Sequence, residues 1–145
     1  VQFTGTKSKA SSVKVPTTVK VNGVTYKVTS VQSNAFKGNK TAKTITIGNN
    51  VKTIGKTAFA NCTKLTTVKL GKNVTKIGAK AFTGCKKLKT ITISSTKLTS
   101  KTLSKEAFKG ISSKTTIKVP KSKVKTYKKL FVKTGLSKNV KIKSI

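Results

Sequence analysis

Phenylalanine returns at a nearly constant interval along this chain, and that interval constrains the fold more than any other feature. Phe36, Phe59, Phe82, Phe108 and Phe131 are separated by 23, 23, 26 and 23 residues. Alanine precedes the first four, as Ala35, Ala58, Ala81 and Ala107. Other apolar columns keep the same register. Ile45, Val68 and Ile117 lie fourteen residues before a phenylalanine, and Ile47, Leu70 and Val119 lie twelve before. Ile91 and Ile93 join these columns once three extra residues are placed between Ile93 and Phe108. Val31, Ile54, Ile77 and Leu103 lie five before, and Gly55 and Gly78 follow two of them. Leu65 and Leu88 make a further column, with Ala42 as a weak member. Self-similarity at a fixed period of this size is the signature of a stacked-repeat architecture.

Within each unit the pattern changes character twice. Residues 44–47 (TITI) and 67–70 (TVKL) alternate polar and apolar, which predicts a half-buried strand. A second short extended stretch follows, as in residues 51–55 (VKTIG), and the unit closes on a turn of helix or a tight loop carrying the Ala-Phe pair. A unit this small cannot bury its own apolar edge. Stacked on its neighbours, with strands about 4.8 Å apart, it forms a continuous ladder of like side chains. The expected fold is therefore a β-rich repeat solenoid of about five units, one domain over residues 1–145. Residues 1–36 would hold the N-terminal cap and first partial repeat, 37–108 the repeats, and 109–145 the C-terminal cap.

The two ends differ from the middle. Val19-Lys20-Val21 and Val24-Thr25-Tyr26 flank Asn22-Gly23, the strongest two-residue hairpin signal, because both positions accept positive φ. After Pro120, the residues Val124, Tyr127, Leu130, Phe131 and Thr134 recur at helical spacing, and Gly135 is placed to stop the helix. Val140-Lys141-Ile142 could then close the sheet. Tyr26 and Tyr127 are expected to serve as capping residues, and the phenylalanines to be core rather than a stacking platform for a ligand.

At residues 51–62 (VKTIGKTAFANC) and 74–85 (VTKIGAKAFTGC) the chain resembles the BspA-like class of bacterial leucine-rich repeats. The likeness covers about residues 28–131. It implies a curved solenoid on secreted or cell-surface proteins, associated with adhesion, and it names no ligand. The chain departs from the pattern in the insertion before Phe108 and in carrying Asn39 and Ile111 where the motif has cysteine.

Composition decides which chemistry such a scaffold could carry. Thirty-three basic residues, all lysine, face a single acidic residue, Glu106, for a formal charge of +32. There is no histidine, aspartate or arginine. A Ser-His-Asp or Cys-His arrangement and a two-carboxylate pair are thereby excluded. Two cysteines and one glutamate cannot complete a metal shell, so no cofactor or metal is expected. A Ser-Lys mechanism remains only formally open, since almost any serine here has a lysine nearby. The expectation is a non-catalytic protein. No apolar run is long enough to span a membrane. The chain begins at Val1 and holds no methionine, so it reads as a piece of a longer product.

Cys62 and Cys85 share one column in adjacent units, near enough for a disulfide. Ile111 occupies the same column, so the position takes apolar volume, and reduced core packing is the expectation.

A partner would be felt through lysine. Thr46, Lys69, Thr92 and Lys118 lie between the buried columns of the opening strands, with Lys141 continuing the row. Thr44, Thr67, Thr90 and Thr116 form a parallel row, with Lys43 and Lys89 just before it. Strand alternation turns the side chains of the two rows away from the core. Such a face suits an anionic polysaccharide of a cell wall or host surface. The alternatives are a protein–protein adhesin or spacer in which lysine serves solubility and blocks edge pairing, and nucleic-acid binding. Without arginine forks or exposed aromatics between the charges, nucleic acid should bind only non-specifically. An ice-binding Thr-x-Thr array is interrupted by Lys69 and Lys118. The basic segment 121–133 could lie on a membrane surface, but its apolar residues are better explained as a lid on the last rung.

Overall fold

The computed structural model describes residues 1–5 and 9–145. The opening strands are β2 (Ser12–Val15), β6 (Thr44–Ile47), β8 (Thr67–Leu70), β10 (Thr90–Ile93), β11 (Thr116–Val119) and β12 (Lys141–Ser144). They form one parallel sheet in the spatial order β12-β11-β10-β8-β6-β2. A second parallel sheet is built from the shorter strands β1 (Gln2–Phe3), β5 (Ser30–Val31), β7 (Thr53–Ile54) and β9 (Lys76–Ile77). The result is a β-solenoid of about six turns, one more than the phenylalanines alone suggest, with α1 (Val124–Phe131) across its C-terminal end.

The third side of the prism is the Ala-Phe segment, which is a tight turn and not a turn of helix. The Phe36, Phe59 and Phe82 N–H groups donate to the carbonyls of Ala58 (2.7 Å), Ala81 (2.8 Å) and Ala107 (2.9 Å) in the next rung. Alternate N–H groups, such as those of Ala58 and Ala60, bond back three residues to Gly55 and Thr57. A helical turn would keep both sets inside the segment. Here half run along the solenoid axis, so this side, like the two sheets, is stitched rung to rung, as buried backbone groups require. The turn takes left-handed residues in two columns: Asn34, Thr57 and Lys80 (φ 64°, 53° and 56°) and, four residues on, Gly38, Asn61 and Gly84 (φ 71°, 58° and 76°).

Inside, the expected columns are filled. Ile45, Val68, Ile91 and Ile117 are fully buried, as are Phe59, Phe82 and Phe108. The rings of Phe3, Phe36, Phe59, Phe82 and Phe108 stack at 5.0–5.4 Å between centroids, within 19° of parallel. Phe131 lies edge-on, at 89° to Phe108, because it comes from α1 rather than from a repeat turn. Phe3 had no place in the periodic set. It sits on β1 opposite Val31, one column away from the other phenylalanines, yet its ring closes the N-terminal end of the stack.

The Asn-Gly hairpin forms as β3 (Thr18–Val21) and β4 (Val24–Lys27), inserted between β2 and β5. It projects from the solenoid: Val21, Val24 and Tyr26 are 52%, 52% and 42% exposed, and Val19 alone of its residues packs on the core. Tyr26 therefore caps nothing. At the other end Tyr127 is fully buried, as a capping residue should be.

The fourth unit keeps its register despite the insertion. Ile91 pairs with both Val68 and Ile117, and Leu103 bridges to Ile77, which confines the extra residues to the loop between Ile93 and Leu103. Asn39 earns its place in the cysteine column by a different bond, its Oδ1 accepting the N–H groups of Thr41 (3.0 Å) and Ala42 (2.8 Å).

Candidate functional site

The large sheet presents two outward rows. One runs Ser12, Thr44, Thr67, Thr90, Thr116, Lys141; the other runs Lys14, Thr46, Lys69, Thr92, Lys118, Lys143. The threonines from Thr44 to Thr116 are half-buried and the lysines exposed. Lys141 belongs to the threonine row, two residues away from the place expected for it. The step from β11 to β12 passes through α1 and takes 25 residues, so a 23-residue rule misplaces the last strand.

The second row carries lysine at every other rung from Lys14 to Lys118, about 9.6 Å apart. On the intervening rungs Lys43 and Lys89 stand at the strand entrances with Thr66 between them, since the Thr66 N–H donates to the Lys43 carbonyl and the Lys89 N–H to the Thr66 carbonyl. Rungs one to five thus each bring one lysine from this set, alternately after and before the threonine row. Like charges directly opposite on neighbouring strands are destabilising, and the stagger keeps them apart over rungs one to five, whereas at the last step Lys118 and Lys143 stand directly opposite each other.

Lys14 and Lys143 fall outside the 23-residue period that marks the other members of the face. Ser12-Val13-Lys14-Val15 has the same alternation as the other opening strands, but the hairpin places it 32 residues before residues 44–47 instead of 23.

No carboxylate lies in either row. Glu106 sits on a turn, 3.2 Å from the Lys109 ammonium and 3.5 Å from that of Lys80. The Lys109 hydrogen bond and the charges of Lys109 and Lys80 hold its pKa below the ordinary value of 4.5. The two cysteines lie outside this face. Both are free and buried, and their Sγ atoms donate to the carbonyls of Phe36 and Phe59, each at 3.0 Å. The neighbouring Cys85 thiol, with burial, pushes the Cys62 thiol well above its ordinary pKa. Among the described residues, no helix is long and apolar enough to cross a membrane.

Six copies of the repeat described as BspA type leucine rich repeat region match residues 29–145. The chain belongs to that family. BspA-type repeat proteins are typically secreted or carried on the cell surface, and they generally serve as non-catalytic interaction modules. Among solved structures, a leucine-rich repeat protein of Bacteroides ovatus is 25% identical, with a TM-score of 0.62 over 92% of this chain and 33% of that one. A leucine-rich cell surface protein of Faecalibacterium prausnitzii is 20% identical, with a TM-score of 0.51 over 99% of this chain and 45% of that one. This BspA-type chain thus spans less than half the length of either. No curated protein sequence matches it.

Proposed function

We propose that this BspA-type solenoid is a secreted or cell-surface module that binds anionic polysaccharide along its large sheet. The observation that carries this reading is the staggered lysine set, spread over consecutive rungs of one continuous face that holds no carboxylate. A chain lying across the strands would meet an ammonium at each rung and hydroxyls of Ser12, Thr44, Thr67, Thr90 and Thr116 between them. The cost of assembling these like charges falls when a polyanion is bound, so the face favours polymers over single ions.

The test is a polysaccharide array at physiological salt, followed by a salt titration on any ligand found. Acidic polymers should bind, and affinity should fall steeply with salt in proportion to the charges neutralised. Lys14→Gln, Lys69→Gln and Lys118→Gln together should flatten that slope, whereas neutralising Lys20, Lys37 and Lys64 should change it far less. An array without acidic ligands at that salt overturns the proposal.

A second reading, a protein-binding module, is favoured by the hairpin. Val19, Val21, Val24 and Tyr26 share one of its faces, and three of them are exposed. Binding of a protein partner that survives high salt and is lost on Val21→Ser with Val24→Ser would support it.

A further inference from the structure

Two sequence features play no part in the sheet: the insertion in the fourth unit and the basic helix. The structure brings them together. The Tyr127 hydroxyl, from α1, accepts the Leu98 N–H (3.1 Å) and donates to the Ser95 carbonyl (3.0 Å), so one buried phenol spans the inserted loop. Ser95 is itself buried, and its hydroxyl donates to the Val74 carbonyl of the preceding rung, fixing the base of the loop. Lys97 is steadied by a hydrogen bond to Asn73 Oδ1 at 3.0 Å.

Between this braced loop and α1 lies an open cavity, a groove of about 540 Å³. Lys97 borders it from the loop, and Lys123, Lys129 and Lys133 from the helical segment. Leu98 and Leu130 supply apolar lining, and Thr126 adds a hydroxyl. Lys123, Thr126, Leu130 and Lys133 are spaced three or four apart, which puts them on one side of a helix. Four lysines thus border one open groove, and neither partner of Glu106 is among them.

We propose that this cavity is a second, compact anion site, taking a sugar that bears two or more phosphate or sulfate esters. A multiply charged ligand neutralises the crowded ammonium groups, while its ring lies against Leu98 and Leu130. A bare inorganic anion would leave the apolar lining unused, and an extended polymer would fit the flat sheet better than a cavity. The site is independent of the reading given to the sheet.

The experiment is a titration of the isotopically labelled chain at physiological salt, followed by NMR, with fructose 1,6-bisphosphate and with a sulfated disaccharide. The first represents a free sugar phosphate and the second the end of a sulfated polymer, so the tighter ligand identifies the source. Shifts should concentrate in residues 95–101 and 121–134. Lys97→Gln with Lys129→Gln and Lys133→Gln should weaken binding about tenfold or more, since paired charges are removed from the site. The charge-matched set Lys20→Gln, Lys37→Gln and Lys64→Gln should change it less than about twofold, as those charges act only through the long-range field. Equal losses in both triple variants, shifts scattered over the sheet, or no binding of either probe would overturn the proposal.

Discussion

Gly78 shows how closely single residues are bound to their neighbours in the stack. A Cβ added there would lie 2.7 Å from the Lys56 amide nitrogen and 2.9 Å from the Gly55 carbonyl carbon, both backbone atoms of the preceding rung. Neither can yield without moving its whole strand. Gly78→Ala should therefore lower unfolding stability by about 1–3 kcal/mol, the usual cost of overpacking. Chemical denaturation would measure this, and an unchanged midpoint would show that the rungs can separate locally. The Gly55 and Gly78 column was visible in the sequence, but its reason was not. Each glycine is demanded by a backbone 22 to 23 residues away, which no local propensity records.

At the scale of elements, the informative pieces are those that break the repeat. The hairpin, the inserted loop and α1 are all legible as departures from a 23-residue period, and the first and last are legible by type. Their orientation is not. Asn22-Gly23 specifies a turn between β3 and β4, yet nothing in those residues says that the hairpin will stand away from the core. The inserted loop is held by Tyr127, whose role depends on α1 crossing the end of the sheet. Tyr127→Phe leaves the Leu98 N–H and the Ser95 carbonyl without their buried partner, at a cost of about 1–3 kcal/mol. Faster amide exchange in residues 95–101 would locate that loss in the loop; unaltered protection there would deny Tyr127 its bracing role. The last strand teaches the same lesson. Its register is set by the path through α1, so Lys141 falls opposite Thr116 and not Lys118.

For the whole molecule, a formal charge of +32 acts against the compact state through self-repulsion. Salt should relieve it: as the Debye length shrinks from about 30 Å at 0.01 M to about 10 Å at 0.1 M, the melting temperature should rise by several degrees. A melting temperature that falls or stays level would mean that the stagger and the length of the lysine side chains already remove the repulsion. Acid should matter little. Glu106 has a depressed pKa, so its contribution is complete above its ordinary value of 4.5 and is lost as pH falls through the lower folded value. With no histidine, stability should be flat from about pH 5 to 7. Below that window Glu106→Gln should remove the small remaining pH dependence of a thermal melt. By itself the sequence determined the solenoid, its buried columns and the residue types available for chemistry, because a repeated column has one neighbour above and one below, and period alone identifies both. Only the tertiary structure decided where the interruptions go. It joined Lys14 to the face, moved Lys141 to the other row, turned the hairpin outward and set the inserted loop beside α1 along an open, lysine-bordered groove. Those placements rest on contacts between segments with no period to relate them.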